Sequence, residues 1–86
     1  MRNEIEEFRR RWNRASAAVL SGARKDADLK QVDVARALQL SLSTVQRIEA
    51  GEREMTIAEL ALFARLTKTT PASLIDLITR WASKIK

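Results

Sequence analysis

Residues 31–50 of the chain are QVDVARALQLSLSTVQRIEA, and their apolar spacing decides the fold. Val34, Ala35 and Leu38 stand at positions i, i+1 and i+4, which lie on one face of an α-helix. Polar side chains fall between them, so this helix has an inner and an outer face. A helix this short is not stable alone and needs a partner that covers the inner face.

A second helix is predicted directly after this one. Ser41 supplies a hydroxyl that can cap it, and Val45 and Ile48 repeat an apolar spacing of one turn. The small side chain of Ala35 would allow the second helix to cross close to the first. The stretch therefore predicts two short helices joined by a tight turn.

The second predicted helix also has an outward face. If its two apolar side chains face inward, the polar side chains between them face solvent. Gln and Arg side chains form paired hydrogen bonds with the edges of DNA bases. The residues that we expect to contact bases are Leu42, Ser43, Gln46 and Arg47.

This pattern resembles the phage-repressor and Cro, or Xre-type, helix-turn-helix family. The matching positions are Gln31, Ala35, Leu38, Leu40, Ser41, Ser43, Val45, Ile48, Glu49, Gly51 and Arg53. The resemblance covers residues 19–77. It implies an all-α fold, a compact five-helix bundle of the lambda-repressor-like type, here with extended first and last helices.

Two positions depart from the family pattern. Gln39 stands in the turn where the family normally has Gly, so a residue with a side chain must adopt or avoid a left-handed conformation there. Lys30 stands where the family usually has Ser or Thr, which removes a helix cap and adds a charge. Neither departure interrupts the apolar framework.

The resemblance implies a transcriptional regulator that binds double-stranded DNA. The chain is similar to small stand-alone repressors and to the controller proteins of restriction-modification systems, and its sequence does not choose between them. We expect a homodimer that places one recognition helix in each major groove of a pseudopalindromic operator. An alternative stays open: a protein-interaction module, such as an antitoxin or an adaptor, that grips a partner protein through its terminal helices.

The resemblance also implies roles for side chains around the motif. Glu49 is expected to pair with Arg24 on the first helix, which would brace the recognition helix. The residues expected to contact DNA phosphates are Lys30, Gln31, Ser41, Thr44 and Arg53.

Composition narrows the class of protein. The chain has 86 residues, which suits one domain, and it contains no Cys and no His. These absences exclude disulfides and imidazole metal ligands and remove the commonest general base, so we expect no enzyme, no cofactor and no metal. No long apolar run or secretory signal is evident, so we expect a cytoplasmic protein without a membrane partner.

The formal net charge of +5 suits a polyanionic partner, but its distribution is uneven. Residues 31–50 are neutral, with two basic and two acidic side chains. Residues 1–30 carry +3 and residues 51–86 carry +2. Attraction to phosphates is therefore expected from the flanks of the motif, whereas base contacts come from the motif itself.

Three further helices are predicted outside residues 31–50. The first begins at an Asn3 cap and continues to about Lys25, with Gly22 as a weak point within it. The others begin at Thr56 and at Pro71. The apolar faces predicted for these helices contain Ile5, Phe8, Trp12, Ala15, Val19, Leu20 and Ala23, then Ile57, Leu60, Ala61 and Ala64 widened by Phe63 and Leu66, then Leu74, Leu77, Ile78, Trp81 and Ile85.

The terminal helices allow more than one interpretation. We treat residues 1–86 as one domain, with helical extensions at 1–18 and 78–86 around the helix-turn-helix at 31–50. The basic cluster Arg9, Arg10, Arg11 and Arg14 is interpreted as a solvated helix face rather than a nucleic-acid arm. The residues Trp12, Leu77, Trp81 and Ile85 form either a satellite core or a dimer interface, where Trp is favoured.

Overall fold

The computed structural model describes residues 3–85, and within this range the chain forms five α-helices and no strand. The helices are α1 (Glu4–Asp26), α2 (Gln31–Leu38), α3 (Leu42–Glu49), α4 (Ile57–Leu66) and α5 (Pro71–Lys84). The predicted all-α, five-helix fold is confirmed. Gly22, the weak point of the first predicted helix, does not interrupt it, because α1 runs through this position to Asp26.

Side-chain caps explain where four of the helices begin. The oxygen of the capping residue accepts a hydrogen bond from a backbone N–H of the first turn, which would otherwise have no partner. The bonds run from Glu6 N to Asn3 Oδ1 (2.7 Å), from Thr44 N to Ser41 Oγ (3.1 Å), from Glu59 N to Thr56 Oγ1 (3.1 Å) and from Ser73 N to Thr70 Oγ1 (3.1 Å).

Helix α2 begins differently because its capping position is Lys30, whose ammonium group has no acceptor. The first turn is instead tied by the Asp33 carboxylate, whose Oδ2 accepts a hydrogen bond from the Lys30 backbone N–H at 2.7 Å. The missing family cap is thus replaced by a side chain three residues further on. The Lys30 side chain stays exposed to solvent.

Four helices end in a left-handed residue, and only one of these residues is Gly. The φ angles are 58° at Asp28, 56° at Gln39, 78° at Gly51 and 59° at Lys68. After α2, Leu40 N donates to the Ala35 carbonyl at 2.9 Å, which is the 6→1 hydrogen bond of a Schellman motif. Gln39 therefore adopts the left-handed conformation that the family normally gives to Gly, and the other two non-glycine ends do the same.

The core lies where α1 meets α5 and α3, and where α2 meets α3 and α4. Phe63, Leu20 and Leu74 are its largest fully buried side chains, together with Val34. The other buried residues of this core cluster are Ala15, Val19, Ala35, Leu38, Val45, Ile48, Ala64, Ile78 and Ala82. The two helices of the motif are thus held by one continuous core.

Several residues of the predicted apolar faces are not buried. Ile57 is 88% exposed because it starts the first turn of α4, whereas Phe63 and Ala64, further along the predicted face, are buried in the core. Ile5 and Phe8, 71% and 51% exposed, lie at the N-terminal end of α1, beyond its buried part, which begins at Ala15. Ala61, Leu77 and Trp81 are also exposed. Among residues 3–85, no helix is long and apolar enough to cross a membrane.

Candidate nucleic-acid interface

Helix α3 has one face in the core and one face in solvent. Val45 and Ile48 are 2% and 3% exposed. On the other side, the four residues predicted to contact bases are all exposed, and they are Leu42, Ser43, Gln46 and Arg47. The structure therefore brings together, on one accessible surface, an amide and a guanidinium group, a hydroxyl group and an aliphatic side chain. We call this surface the α3 face.

A cluster of hydroxyl groups marks the N-terminal end of α3. Ser41 Oγ lies 2.7 Å from Thr44 Oγ1 and 3.2 Å from Ser43 Oγ. Hydroxyl and backbone N–H groups at a helix N-terminus suit an anion, because they donate hydrogen bonds where the helix dipole is positive. This end of α3 has the chemistry that a phosphate contact requires. The exposed Lys30 stands elsewhere, directly before α2.

The C-terminal end of α3 is fixed to α1 by a nearly buried ion pair. Arg24 Nε lies 2.7 Å from Glu49 Oε2, Arg24 Nη2 lies 3.0 Å from Glu49 Oε1, and the side chains are 11% and 9% exposed. Arg24 Nη1 also donates to the Leu29 carbonyl at 2.9 Å. The paired geometry is the strongest form of an arginine–carboxylate contact, so α3 is braced against α1.

Gln31 joins this brace. Its Nε2 donates to Glu49 Oε1 at 3.1 Å, so the first residue of α2 is linked to the last residue of α3. Burial acts to raise the pKa of Glu49, but hydrogen bonds from Arg24, Gln31 and Ser21, with the Arg24 charge, lower it below its ordinary value. The pKa of Arg24 is raised by its hydrogen bond to Glu49. Both groups are therefore charged at neutral pH.

Arg53, which was predicted to contact phosphate, is engaged inside the protein. Its Nη1 and Nη2 donate to the two carboxylate oxygens of Glu59 at 2.8 and 3.2 Å, and Nη1 also donates to the Glu54 carbonyl at 3.1 Å. The pKa of Glu59 is lowered, chiefly by the hydrogen bond from Arg53. This pair connects the loop after α3 to the first turn of α4.

The arginine cluster near the N-terminus of α1 does not act as one group. Arg9 forms a two-point pair with Glu54, at 3.0 and 3.2 Å, and so joins α1 to the loop that follows α3. The Arg11 guanidinium lies 6.0 Å from the centre of the Phe8 ring. Arg10 and Arg14 make no ion pair with any residue in the range 3–85.

The tryptophans of the terminal helices lie on different sides of α5. Trp12 packs partly buried against the core, contacts Phe8 with ring centres 5.7 Å apart, and lines a small groove with Ile75 and Ile78. Trp81 is 50% exposed and, with Leu77, lines a separate groove of about 410 Å³ between α1 and α5. They therefore do not share the satellite core considered above. Ile85 packs against the main core.

Other kinds of site find no support in the described part of the chain. Within residues 3–85, no three or more carboxylate, imidazole or thiol side chains are grouped to hold a metal ion.

The pairs Arg9–Glu54 and Arg53–Glu59 were not predicted. One member of each pair, Glu54 or Arg53, lies in the loop after α3, and a loop residue carries no periodic signal that would identify its partner. The Gln31–Glu49 bond was likewise not predicted, although both residues belong to the recognised pattern.

Comparisons with known proteins agree with this geometry. A family model described as a helix-turn-helix domain matches residues 9–77, so the match begins ten residues before the resemblance found in the sequence and ends at the same position. The search of curated proteins found no match.

Two solved structures are similar in fold. The clp gene regulator ClgR from Corynebacterium glutamicum has a TM-score of 0.79 and 19% identity, over 84% of this chain and 77% of that one. A point mutant of the restriction-modification controller protein C.Esp1396I has a TM-score of 0.74 and 19% identity, over 86% of this chain and 99% of that one. Helix-turn-helix domains bind DNA and are not enzymes. Because the family match spans most of its length, the chain belongs to the helix-turn-helix domain family.

Proposed function

We propose that this protein is a sequence-specific transcriptional regulator that binds DNA as a homodimer. The observation that carries the proposal is the α3 face, where Gln46 and Arg47 are exposed opposite the buried Val45 and Ile48. In helix-turn-helix proteins the second helix of the motif lies in the major groove, and its N-terminal residues contact base edges. The two proteins of similar fold, a clp gene regulator and a restriction-modification controller protein, are consistent with this proposal.

The side chains of the α3 face suit different parts of a base pair. Arg47 can donate two hydrogen bonds to the O6 and N7 of guanine, and Gln46 can pair with the N6 and N7 of adenine. The Leu42 side chain can contact the methyl group of thymine, and Ser43 can bond to either kind of base. These four residues would supply specificity, whereas contacts with phosphates would supply most of the affinity.

Phosphate contacts are proposed at the N-terminal ends of α2 and α3. Ser41 and Thr44 present hydroxyls there, and the Lys30 ammonium group is exposed. Gln31 keeps one amide N–H and its carbonyl oxygen in addition to the bond it gives to Glu49. Arg53 is a weaker candidate, because both of its terminal nitrogens are already bonded to Glu59.

Dimerisation is proposed through the exposed side of α5. Leu77 and Trp81, 45% and 50% exposed, are one helical turn apart and lie beside the groove between α1 and α5. Burial of aromatic and aliphatic side chains is typical of the centre of a homodimer interface. A two-fold axis there would present two α3 helices to half-sites about 34 Å apart.

Selection of bound sequences from a random DNA pool tests the proposal. We expect an enriched site with two-fold symmetry and half-sites one helical turn apart. With that site, Arg47→Ala should cost about 1–3 kcal/mol of binding and relax preference at one base pair. Arg65→Ala, which removes an exposed arginine from α4, is the matched control and should change little. Equal losses on selected and random DNA for Arg47→Ala would contradict its contact with a base.

The rival function is a protein-interaction module. It makes a different prediction for salt, because DNA binding releases counterions and weakens steeply as salt rises. A protein that enriches no DNA sequence, and instead binds one protein partner with an affinity that salt does not change, would overturn our proposal.

A further inference from the structure

Two exposed arginines of the extended α1 have no ion-pair partner among residues 3–85. Arg10 and Arg14 are exposed and one turn apart, so they occupy the same side of α1. They make no ion pair with any residue between positions 3 and 85, whereas Arg9 is bound to Glu54 and Arg11 lies against Phe8. We call Arg10 and Arg14 the α1 basic pair.

Contacts at Gly51 place Arg14 beside the end of α3. Gly51 is the left-handed residue that follows the Ala50 cap of α3, and a Cβ atom placed on it would lie 3.6 Å from the Asn13 carbonyl and 3.7 Å from Arg14 Cα and Cγ. The base of the Arg14 side chain is therefore packed at the C-terminal end of α3. The Arg9–Glu54 pair, at 3.0 Å, holds the same part of α1 to the loop that follows.

The charge of the segment around α3 makes nearby cations important for DNA binding. Residues 31–56 contain three basic and four acidic side chains, a net charge of −1. Of the three basic groups, Arg53 is paired with Glu59. Because phosphate contacts depend on positive charge, a DNA-binding surface with this balance needs cations from a neighbouring element. Arg14 lies beside the end of α3, and Arg10 is one turn away on the same side of α1.

The path of the DNA backbone indicates what these arginines would meet. With α3 in the major groove, a phosphate backbone borders the groove on each side. Elements that flank α3 approach these backbones, and the part of α1 that carries Arg14 is such an element. The hydroxyl cluster stands at the N-terminal end of α3. Arg14 stands near its C-terminal end, where the start of α2 is also linked to Glu49.

We propose that Arg10 and Arg14 form a second phosphate-binding site, which holds the DNA strand that passes the C-terminal end of α3. The site would grip the backbone through charge-assisted hydrogen bonds and would carry no sequence preference. This inference rests on the proposed function, because it assumes that α3 enters the major groove. It assigns a binding role to the N-terminal extension of α1, which the sequence alone indicated to be only a solvated face.

The test is the salt dependence of DNA binding by the full chain. Affinities of the wild type and of Arg10→Gln/Arg14→Gln are measured across a salt series, on the selected duplex and on a random duplex of the same length. Loss of two phosphate contacts should reduce the slope of log K against log salt by about 1.8 on both duplexes. The matched control is Arg11→Gln/Lys84→Gln, which removes the same charge from elsewhere on the terminal helices.

The outcomes separate this inference from the proposed function. A reduced slope for the double variant and an unchanged slope for the control support a second phosphate site. Equal reductions in both variants would mean that net charge alone is acting, and an unchanged slope in the first variant would mean no contact, so either result overturns the inference while DNA binding stands. Failure of the wild type to bind DNA would overturn the proposed function and this inference together.

Phosphate ethylation gives an independent readout. In the wild-type complex, ethylation of the phosphates that border the C-terminal end of α3 should block binding. The same ethylations should lose their effect for Arg10→Gln/Arg14→Gln and keep it for the control. Thermal unfolding of each variant, followed by circular dichroism, verifies that the fold is intact before the DNA measurements are compared.

Discussion

Separating Arg24 from Glu49 should destabilise the protein far more than separating any exposed pair. The two side chains are 11% and 9% exposed, and they meet through two hydrogen bonds of 2.7 and 3.0 Å. Removal of one member of a buried pair leaves the other charged and without compensation, which typically costs about 3–5 kcal/mol. Because the Arg24 guanidinium keeps its bond to the Leu29 carbonyl, we expect the low end of this range, about 3 kcal/mol, for Glu49→Met.

A double-mutant cycle isolates the contribution of this pair. Arg24→Met should cost about as much as Glu49→Met, and the double variant should be much closer to the wild type, because two apolar side chains can replace a buried pair at little cost. The coupling energy is then about 2–3 kcal/mol. The cycle is measured by urea denaturation at neutral pH and one fixed protein concentration, since a dimer would make stability depend on concentration.

An internal control is available on α5. Arg80 and Asp76 form an i,i+4 pair at 2.8 Å whose side chains are 69% and 59% exposed, and such pairs contribute about 0.3–0.5 kcal/mol. If the coupling of Arg24 with Glu49 is no larger than that of Arg80 with Asp76, burial does not strengthen the pair. The reasoning that α3 is braced by α1 would then be refuted.

Three other predictions concern acid, the turn and the dimer. The pKa values of Glu49 and Glu59 are lowered in the folded state, so these two carboxylates stabilise the fold above the unfolded pKa of 4.5. The stabilisation is lost as pH falls from 4.5 through the folded pKa values, and a free energy of unfolding that stayed constant below pH 4.5 would contradict this. Gln39→Gly should raise the free energy of unfolding by about 0.5 kcal/mol, measured by thermal unfolding, because Gly adopts the left-handed conformation at φ 56° without strain. An equal gain from Gln39→Ala would exclude backbone strain as the cause. Leu77→Lys should weaken self-association, measured by sedimentation. The matched control is Val32→Lys, because Val32 is 42% exposed and Leu77 is 45% exposed, and it should leave self-association unchanged. Equal effects of the two substitutions would mean that α5 is not part of the dimer interface.

The helix-turn-helix could be predicted from the sequence because its geometry depends on local spacing. Val34 and Leu38, then Val45 and Ile48, are one turn apart, and a helix with such spacing has one apolar face whatever surrounds it. Their burial at 2–6% agrees with that prediction. The same reasoning was wrong at Ile57, because spacing does not reveal how far along its length a helix is covered. Ile57 falls on the first turn of α4, which lies outside the core.

The candidate site could be predicted only in part, because its polar contacts depend on the path of the chain. The Arg24–Glu49 pair was expected only through the family resemblance, since 25 positions separate the two residues. Arg53 has the position of a phosphate ligand in the family, and its pairing with Glu59 depends on how the loop after α3 returns to α4. A sequence shows directly which side chains are cations. Which carboxylate pairs with each cation is known only once the fold is known.

This difference changes what the net charge of +5 means for DNA binding. Three arginines on or beside the motif, Arg9, Arg24 and Arg53, are each paired with a glutamate and serve to fix α1, α3 and α4 in place. Their charge contributes little local attraction for phosphates, because each carboxylate cancels it at close range. Affinity then has to come from cations that have no such partner among residues 3–85, and on α1 these include Arg14, which borders the end of α3, and Arg10 one turn away. If these two arginines hold the backbone as we propose, the elongated first helix brings to the groove a charge that the electrically neutral motif does not supply.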